Sequence, residues 1–425
     1  MTQLKKILFT ILRQLAQLIL NKYQPEVIAI TGSVGKTSTS EAVYTVLSAA
    51  FNTRKNLKNY NNELGIPLSI IGVEAPGRSV AKWLVIFVKA ASLILFKQKN
   101  YPQILILEMG ADHPGDINYL TNFVPIKIGI VTSVAPVHLE FFGSLQNIAL
   151  EKSQLIKAIP RDGLAILNVD DKLVLEMDQQ ANCQVITCGL NHAAQFFATD
   201  ISYNGTEPGI SFKLNYRGQV FTVELPKVIA EHFIFSVLVA IAVGTAYEID
   251  LLAILERLKD FMPPKGRMCL IDGIKKTLII DDTYNSSPLA ARQALYQLNR
   301  LPIKSGGKKW AVLGDMLELG SYSGRAHREI GAAAAEYKID YLIGVGEISR
   351  DLTREAIAKG VDPDHCFNFA TILEAGNFLQ EKINSGDIIL VKGSQSMRME
   401  KIVKEIMAEP QRAGELLVRQ DSLWV

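Results

Sequence analysis

Apolar residues follow two rhythms along the chain. From Leu4 to Leu20 they occupy Leu4, Ile7, Leu8, Ile11, Leu12, Leu15, Leu18 and Ile19, the spacing of one helix face, with Lys5, Lys6, Arg13 and Gln17 largely outside it. A second apolar stretch, Trp83 to Phe96, is shorter than the roughly 20 residues that cross a bilayer, and Lys89 sits at its centre. From Glu26 the pattern changes. Val27–Ile30, Ile104–Leu107, Ile128–Val131, Leu164–Leu167 and Val185–Cys188 are short β-branched runs between helical stretches, the mark of buried parallel strands. Strands alternating with helices predict a doubly wound α/β fold. Between about Phe196 and Leu225, Asn204-Gly205 and Arg217-Gly218 punctuate alternating runs, which predicts a small antiparallel appendage. A helix is expected over about Ala230 to Tyr247. After Met262-Pro263-Pro264-Lys265-Gly266, where paired prolines stop helix and sheet alike, a second α/β series runs through Thr277–Ile280, Trp310–Leu313, Tyr341–Val345 and Ile388–Val391. The expected division is a helix over residues 1–24, a central domain over 25–262 and a C-terminal domain over 263–425.

Neither apolar stretch is expected to span a membrane. A secretory signal is not expected at the N-terminus, because Arg13, Gln14 and Gln17 interrupt the apolar run and no small-residue cleavage site follows. Two readings remain for residues 4–20 and 83–96. As amphipathic helices they pack on the body of the protein, the commoner arrangement, or they rest on the inner membrane surface with Lys5, Lys6, Lys82, Lys89 and Lys97 facing lipid phosphates.

Composition narrows the class. A chain of 425 residues suggests two to three domains, and 48% hydrophobic with 21% charged residues excludes a disordered or fibrous protein. A net charge of +2 is too balanced for a general nucleic-acid binder. Cys183, Cys188, Cys269 and Cys366 form no C-x-x-C pair and read as reduced thiols of a cytosolic protein.

The candidate chemistry begins where the run Val27–Ile30 enters Thr31-Gly32-Ser33-Val34-Gly35-Lys36-Thr37 and then a helix opening with Ser38. This is the strand–loop–helix setting of a phosphate-binding loop, in a shortened G-x-x-G-K-T form with Ile30 where the strict pattern wants glycine. Glycines let backbone N–H groups of Gly32, Ser33, Val34, Gly35 and Ser38 cradle phosphate oxygens at a helix N-terminus. Lys36 can reach the β- and γ-phosphates, and the Thr37 hydroxyl can ligate Mg²⁺. Glu108, at the exit of the Ile104–Leu107 run, stands where a Mg²⁺ ligand belongs beside such a loop. His138, at another strand exit, reads equally well as a structural residue or a ligand, and Lys152 by itself reads as a solvated helix lysine.

Taken in order, the segments Thr31–Thr37; Asn61-Asn62-Glu63-Leu64-Gly65-Ile66-Pro67-Leu68; Glu108-Met109-Gly110-Ala111; Pro136-Val137-His138-Leu139-Glu140; Leu167-Asn168-Val169-Asp170-Asp171; Asp281-Asp282-Thr283-Tyr284-Asn285; Leu313-Gly314-Asp315-Met316-Leu317-Glu318-Leu319-Gly320; and Val391-Lys392-Gly393-Ser394 resemble the Mur ligase family. The resemblance runs from about Val27 to Val403. It implies a central ATP-binding domain and a C-terminal Rossmann-like domain that closes on it about a Pro263-Pro264 hinge. With the P-loop near residue 32, the family's uridine-binding domain is expected to be absent or reduced to one helix. The implied activity is ATP-dependent amide-bond formation in peptidoglycan precursor synthesis, adding D-alanyl-D-alanine to a UDP-N-acetylmuramoyl-tripeptide through an acyl phosphate. The resemblance also implies two Mg²⁺ ions, held by Thr37, Glu108, His138 and Lys152, with Lys152 carbamylated because it lies 14 residues after His138. Lys36, His138, Lys152 and Arg267 would act on the transferred phosphoryl group. Asp282, Tyr284 and Asn285 would contact the nucleotide, and Asn61, Asn62, Asp315, Glu318, Lys392 and Ser394 the substrates. A cytoplasmic monomer with small-molecule substrates and no nucleic-acid partner is expected. Two other readings stay open: a folylpolyglutamate synthase-like ligase, and a catalytically idle nucleotide-binding scaffold of a cell-wall complex.

Overall fold

Runs of β-branched and aliphatic residues too short for helices become the strands of two sheets in a computed structural model that describes residues 3–56, 60–77, 79–203 and 208–420. The Asn204-Gly205 turn and the side chains of Lys5 and Lys6 lie outside the described residues. The chain divides into two compact units: Met1–Ile201 with Phe212–Glu224 and His232–Phe261, and Met262–Val425 with Ser202–Ser211 and Leu225–Glu231.

Apart from Ser202–Tyr203, Ile210–Ser211 and Leu225, strand ends that fall in the second unit, the first unit follows the order α1 (Gln3–Tyr23), β1 (Glu26–Thr31), α2 (Lys36–Leu47), β2 (Thr53–Lys55), α3 (Gly65–Ile71), α4 (Val80–Leu95), β3 (Ile104–Glu108), α5 (Asp116–Thr121), β4 (Ile128–Val131), α6 (Leu139–Phe142), α7 (Leu145–Lys157), β5 (Leu164–Asn168), β6 (Gln184–Gly189), β7 (Phe196–Tyr203), β8 (Ile210–Tyr216) and β9 (Gln219–Leu225). The sheet order is β2-β3-β1-β4-β5-β6-β7-β8-β9, and strands β1 to β7 pair in parallel. Strand β1 therefore sits where the chain turns first to one side, through β2 and β3, and later to the other, through β4 and β5. Ligands bind at such a switch point, beyond the carboxyl ends of the strands. Strands β1, β3 and β4 are buried along nearly their whole length, which is why they read as continuous apolar runs. Edge strand β2, Thr-Arg-Lys, has no such run and gives no strand signal. The region expected to form an antiparallel appendage holds β7–β9, which extend the main sheet with β7 parallel to β6, and β8 and β9 are joined by Arg217-Gly218 in left-handed conformations. The helix expected near Ala230 to Tyr247 spans Phe233–Ala246 and is almost wholly buried.

Helix α1 buries Leu12, Ala16, Ile19 and Leu20 in the same core as Val27, Ala29 and Leu105. Its C-terminal end is tied to α4: Lys22 Nζ donates to the carbonyls of Leu93 and Ile94 at 3.1 and 2.7 Å, and Tyr101 stacks on Tyr23. No helix of the described residues is long and apolar enough to cross a membrane.

In the second unit, β10 (Cys269–Asp272), β11 (Leu278–Asp282), β12 (Lys309–Gly314), β13 (Tyr341–Val345), β14 (Cys366–Phe369) and β15 (Ile388–Lys392) order as β10-β11-β15-β12-β13-β14. All pairs are parallel except β10 with β11. The four strands expected here are present. Edge strands β10 and β14 are additional, short and only partly buried. Asp387, 1% exposed, locks the start of β15 by accepting from Trp310 Nε1 at 2.9 Å and from the backbone N–H groups of Lys308 and Asn384 at 2.8 and 2.9 Å.

Candidate active site

Three strand exits of the first unit converge on the glycine loop. Residues Gly32 to Gly35 leave β1 and are braced by the segment after β4. Ser33 N donates to Ser133 O at 2.8 Å, Val34 N to Ser133 Oγ at 3.1 Å, and Ala135 N to Ser33 Oγ at 2.9 Å. Thr132 Oγ1 donates to Val34 O at 2.5 Å. The brace leaves no room for a side chain at Gly32, whose φ is +148° and where an added Cβ would lie 1.9 Å from Thr132 Oγ1. Gly35, at φ +91°, begins α2 without any side-chain cap, so the partial positive charge of the helix N-terminus is not met by a capping side chain.

The third exit is that of β3. Glu108, 7% exposed, accepts from the Thr37 hydroxyl at 3.0 Å, and its backbone N–H is held by Asn56 Oδ1 at 2.6 Å. Lys36 lies back across the loop with Nζ donating to Gly32 O at 2.6 Å. A cation, a hydroxyl and a carboxylate thus surround the start of α2.

A second cluster lies beside the first. His138 adopts a left-handed conformation (φ +52°) at the start of α6, half-exposed, with Nε2 3.3 Å from Asp112 Oδ1. Lys152, on α7, is 2% exposed. Burial, and then the nearby positive charge of Lys36, push its amine down to about 7, against an opposing pull from Glu151 and Asp112. Lys152 is therefore no solvated helix lysine. Its neighbour Glu151 is committed elsewhere, accepting from Gly115 N at 2.8 Å and Ile117 N at 2.7 Å to cap α5. Asn62 caps too, accepting from Leu64 N and Gly65 N at 3.2 and 3.0 Å at the start of α3. Asn61 O accepts from Gly110 N at 2.7 Å, which fixes the turn after Glu108.

In the second unit, Arg267 lies over the Tyr284 ring, 4.1 Å from its centroid. The nearly buried Lys392 pairs with Asp282 at 2.7 Å and donates to Asn285 O at 2.9 Å. Asp315 and Ser394 are structural braces. The Asp315 carboxylate accepts from Ser349 N at 2.8 Å and Glu347 N at 3.2 Å, and the Ser394 hydroxyl accepts from Leu317 N at 2.8 Å. His327, fully buried, accepts from Met316 N at 3.0 Å through Nε2. Between these anchors Glu318 is exposed and left-handed, with φ +64°.

The Mur ligase middle domain matches residues 30–81 and 88–244, and the Mur ligase glutamate ligase domain matches residues 266–395. The chain belongs to the Mur ligase family. It is 28% identical over 401 residues to the UDP-N-acetylmuramoyl-tripeptide–D-alanyl-D-alanine ligase of Bacillus subtilis, covering 94% of this chain and 80% of that one. The Escherichia coli ligase of the same name is also 28% identical, with 92% and 79% covered. Among solved structures, MurF from Acinetobacter baumannii superposes with a TM-score of 0.77 at 27% identity, covering 93% of this chain and 79% of that one. The Thermotoga maritima MurF ligase in complex with ADP gives 0.71 at 25% identity, covering 95% and 84%.

The donor set of this Mur ligase suits Mg²⁺ held jointly with phosphate. Mg²⁺ takes one or two carboxylates and completes its shell with water and phosphate oxygens, and the Thr37 hydroxyl with the Glu108 carboxylate supplies hard oxygen donors of that kind. No group of three His, Cys, Asp or Glu side chains among the described residues is placed to hold a metal alone. Asp112, Thr132, Ser133 and Asn56 were not candidates from the sequence. Asp112 follows the Glu108-Met109-Gly110-Ala111 run directly, a signal that was available, whereas the braces are ordinary polar residues recognisable only from the fold.

Proposed function

We propose that this Mur ligase joins D-alanyl-D-alanine to a UDP-N-acetylmuramoyl-tripeptide in peptidoglycan precursor synthesis, with conversion of ATP to ADP and phosphate. The observation that carries the reading is the braced loop bearing Lys36, with Thr37 and Glu108 joined at 3.0 Å, in a chain similar over more than nine-tenths of its length to ligases of that name. A carboxylate is a poor electrophile, so it must be activated before an amine can attack. The substrate carboxylate attacks the γ-phosphorus of ATP and ADP departs, leaving an acyl phosphate. The amine nitrogen then adds to the acyl carbon, loses a proton, and inorganic phosphate is expelled as the amide forms.

The obstacle in the first step is repulsion between two anions. Lys36 Nζ exchanges its contact with Gly32 O for phosphate oxygens, and the loop N–H groups with the α2 dipole hold the triphosphate in place. Thr37 and Glu108 would hold one Mg²⁺, which supplies further neutralisation of phosphate charge. His138 and Lys152 would hold a second once Lys152 is carbamylated. A neutral amine adds CO₂ at Nζ and releases a proton, and a lysine whose amine is pushed down to about 7 is substantially neutral at cytoplasmic pH. Within the second unit, the reading gives Arg267, Asp282, Tyr284, Asn285 and Lys392 to the nucleotide and Glu318 to the substrates. Asp315 and Ser394 hold the loop on which Glu318 stands, as Asn61 and Asn62 hold the turns beside Glu108. The enzyme works in the cytoplasm as a monomer, with residues 4–20 and 83–96 as its part able to touch a membrane.

The folylpolyglutamate synthase reading has weaker support, since the Mycobacterium tuberculosis enzyme of that name shares 15% identity at a TM-score of 0.63 and so shares the fold alone. An idle scaffold has no use for a buried, depressed lysine beside a second charged cluster. ADP release with UDP-muramoyl-tripeptide should require D-alanyl-D-alanine, and Lys36→Ala should abolish it while the circular dichroism spectrum is kept. Glutamate-dependent release, or turnover by the variant, would overturn the reading.

A further inference from the structure

The family match begins at residue 30 and omits residues 82–87, so α1 lies before it and six residues of α4 fall in the gap. Helix α4 turns Ile86, Ala90 and Leu93 into the core. On its other side Val80, Leu84, Val85, Val88 and Leu95, followed by Phe96, are between 61% and 82% exposed. A single exposed leucine means little, but six large apolar side chains on one side of seventeen residues form a patch that water penalises. Helix α1, tied to α4 by Lys22, adds Ile7 and Leu18, each about half exposed.

Charge identifies what covers this face. Residues 1–25 and 75–107 contain nine of the chain's 45 basic residues and none of its 43 acidic ones, leaving 36 basic against 43 acidic residues elsewhere. Lys82, Lys97 and Lys99 are exposed around the α4 patch, while Lys89 folds back to donate to Gly72 O at 2.8 Å. An apolar helix face with a cationic border, in sequence segments without an acid, suits an anionic interface. A second copy of the chain would set one cationic border against another.

We propose that the exposed face of α4, with the adjoining side of α1, docks this ligase on an anionic phospholipid bilayer. At 16 residues, or about 24 Å, α4 is too short to span and lies in the interfacial plane with its aliphatic side among the acyl chains. Lys82, Lys97 and Lys99 reach the lipid phosphates, each strengthening attachment about fivefold.

Flotation of the full chain with vesicles tests this. Vesicles of phosphatidylglycerol and phosphatidylcholine should carry the protein at 50 mM salt, pure phosphatidylcholine vesicles should carry at least tenfold less, and 500 mM salt should release it. Leu84→Glu with Val88→Glu, and separately Lys82→Ala with Lys97→Ala and Lys99→Ala, should each weaken binding at least tenfold while ADP release in solution and the melting temperature stay unchanged. Equal binding to both vesicles, binding to neither, or undiminished binding by both variants would overturn the proposal. So would a dimer in light scattering that Leu84→Glu with Val88→Glu dissociates, because a second copy would then cover the face.

Discussion

Replacing Lys152 by Met should trade activity for stability, and the size of the trade follows from the burial of the amine. The side chain is 2% exposed and its amine is pushed down to about 7 from 10.5. At 1.36 kcal/mol for each pH unit between those values, an ammonium held there at pH 6 costs the folded state about 5 kcal/mol. The sign is set by which state binds the proton. Between pH 7 and 10.5 the unfolded lysine is protonated and the folded one is not, so the wild type gains stability as pH rises through that window. Methionine fills a similar volume without the charge. The variant should therefore be more stable by about 5 kcal/mol at pH 6, an advantage that shrinks to about 2 kcal/mol at pH 9. Urea unfolding of both proteins across pH 6–9, without Mg²⁺ and in bicarbonate-free buffer, measures the difference, in which the titrations of tyrosines and cysteines common to both cancel. ADP release by the variant should be lost. A stability difference that does not change with pH would refute the account of Lys152 as a desolvated amine, and with it the chemical basis for carbamylation.

Other perturbations probe the loop and the second unit. Gly32→Ala must displace Thr132 Oγ1, 1.9 Å from the new methyl, and should raise the KM for ATP at least tenfold with the fold retained; an unchanged KM would show that the brace is not needed. Asp281 is fully buried with Oδ2 unpartnered, and burial pushes its carboxyl up to about 6. Its folded value lies above the ordinary 3.8, so stability falls as pH rises through that interval, and Asp281→Asn should gain up to about 3 kcal/mol at pH 8 in denaturant unfolding; a loss there would contradict the assignment. Asp315→Ala orphans the N–H groups of Ser349 and Glu347 and should cost about 2–4 kcal/mol, with a result below about 0.5 kcal/mol counting against its role as a brace.

The legibility of the fold followed burial. Strands β1, β3, β4 and β5 announce themselves because both faces are covered and only aliphatic residues fit, whereas β2, β10 and β14 lie at edges where one ladder side is open and polar residues are tolerated. The phosphate loop was equally plain, since its requirements are local: glycine where the backbone is left-handed, lysine and threonine at the helix start. What holds it is not local. Thr132, Ser133 and Ala135 reach the loop from about a hundred residues away, and a hydroxyl that braces a backbone carries no signature distinguishing it from one in water. Lys152 shows the same asymmetry. From its own surroundings in the sequence it belongs on a wet helix face, and only the packing of α7 removes its water.

The net charge of +2 illustrates how an average conceals a mechanism. As a single figure it argues against attraction to any polyanion, and for nucleic acid that argument holds as far as the whole surface acts together. Screening confines electrostatic attraction to about 10 Å at moderate salt, however, so a surface responds to the charges it carries within that distance and not to the total. Helices α1 and α4 with their flanks gather basic residues without acids, and the remainder of the chain carries an excess of acids that offsets them in the sum. Since α4 also keeps aliphatic side chains where solvent would select polar ones, charge and hydropathy depart from the ordinary on the same face. Core packing explains only the inward side of α4: Ile86, Ala90 and Leu93 are buried, with Trp83, Phe87 and Ile94 packed beside them, while Val80, Leu84, Val85, Val88 and Leu95 stay exposed. Exposed aliphatic side chains and an excess of base, concentrated on one side of one element, are the two components that docking on an anionic interface uses.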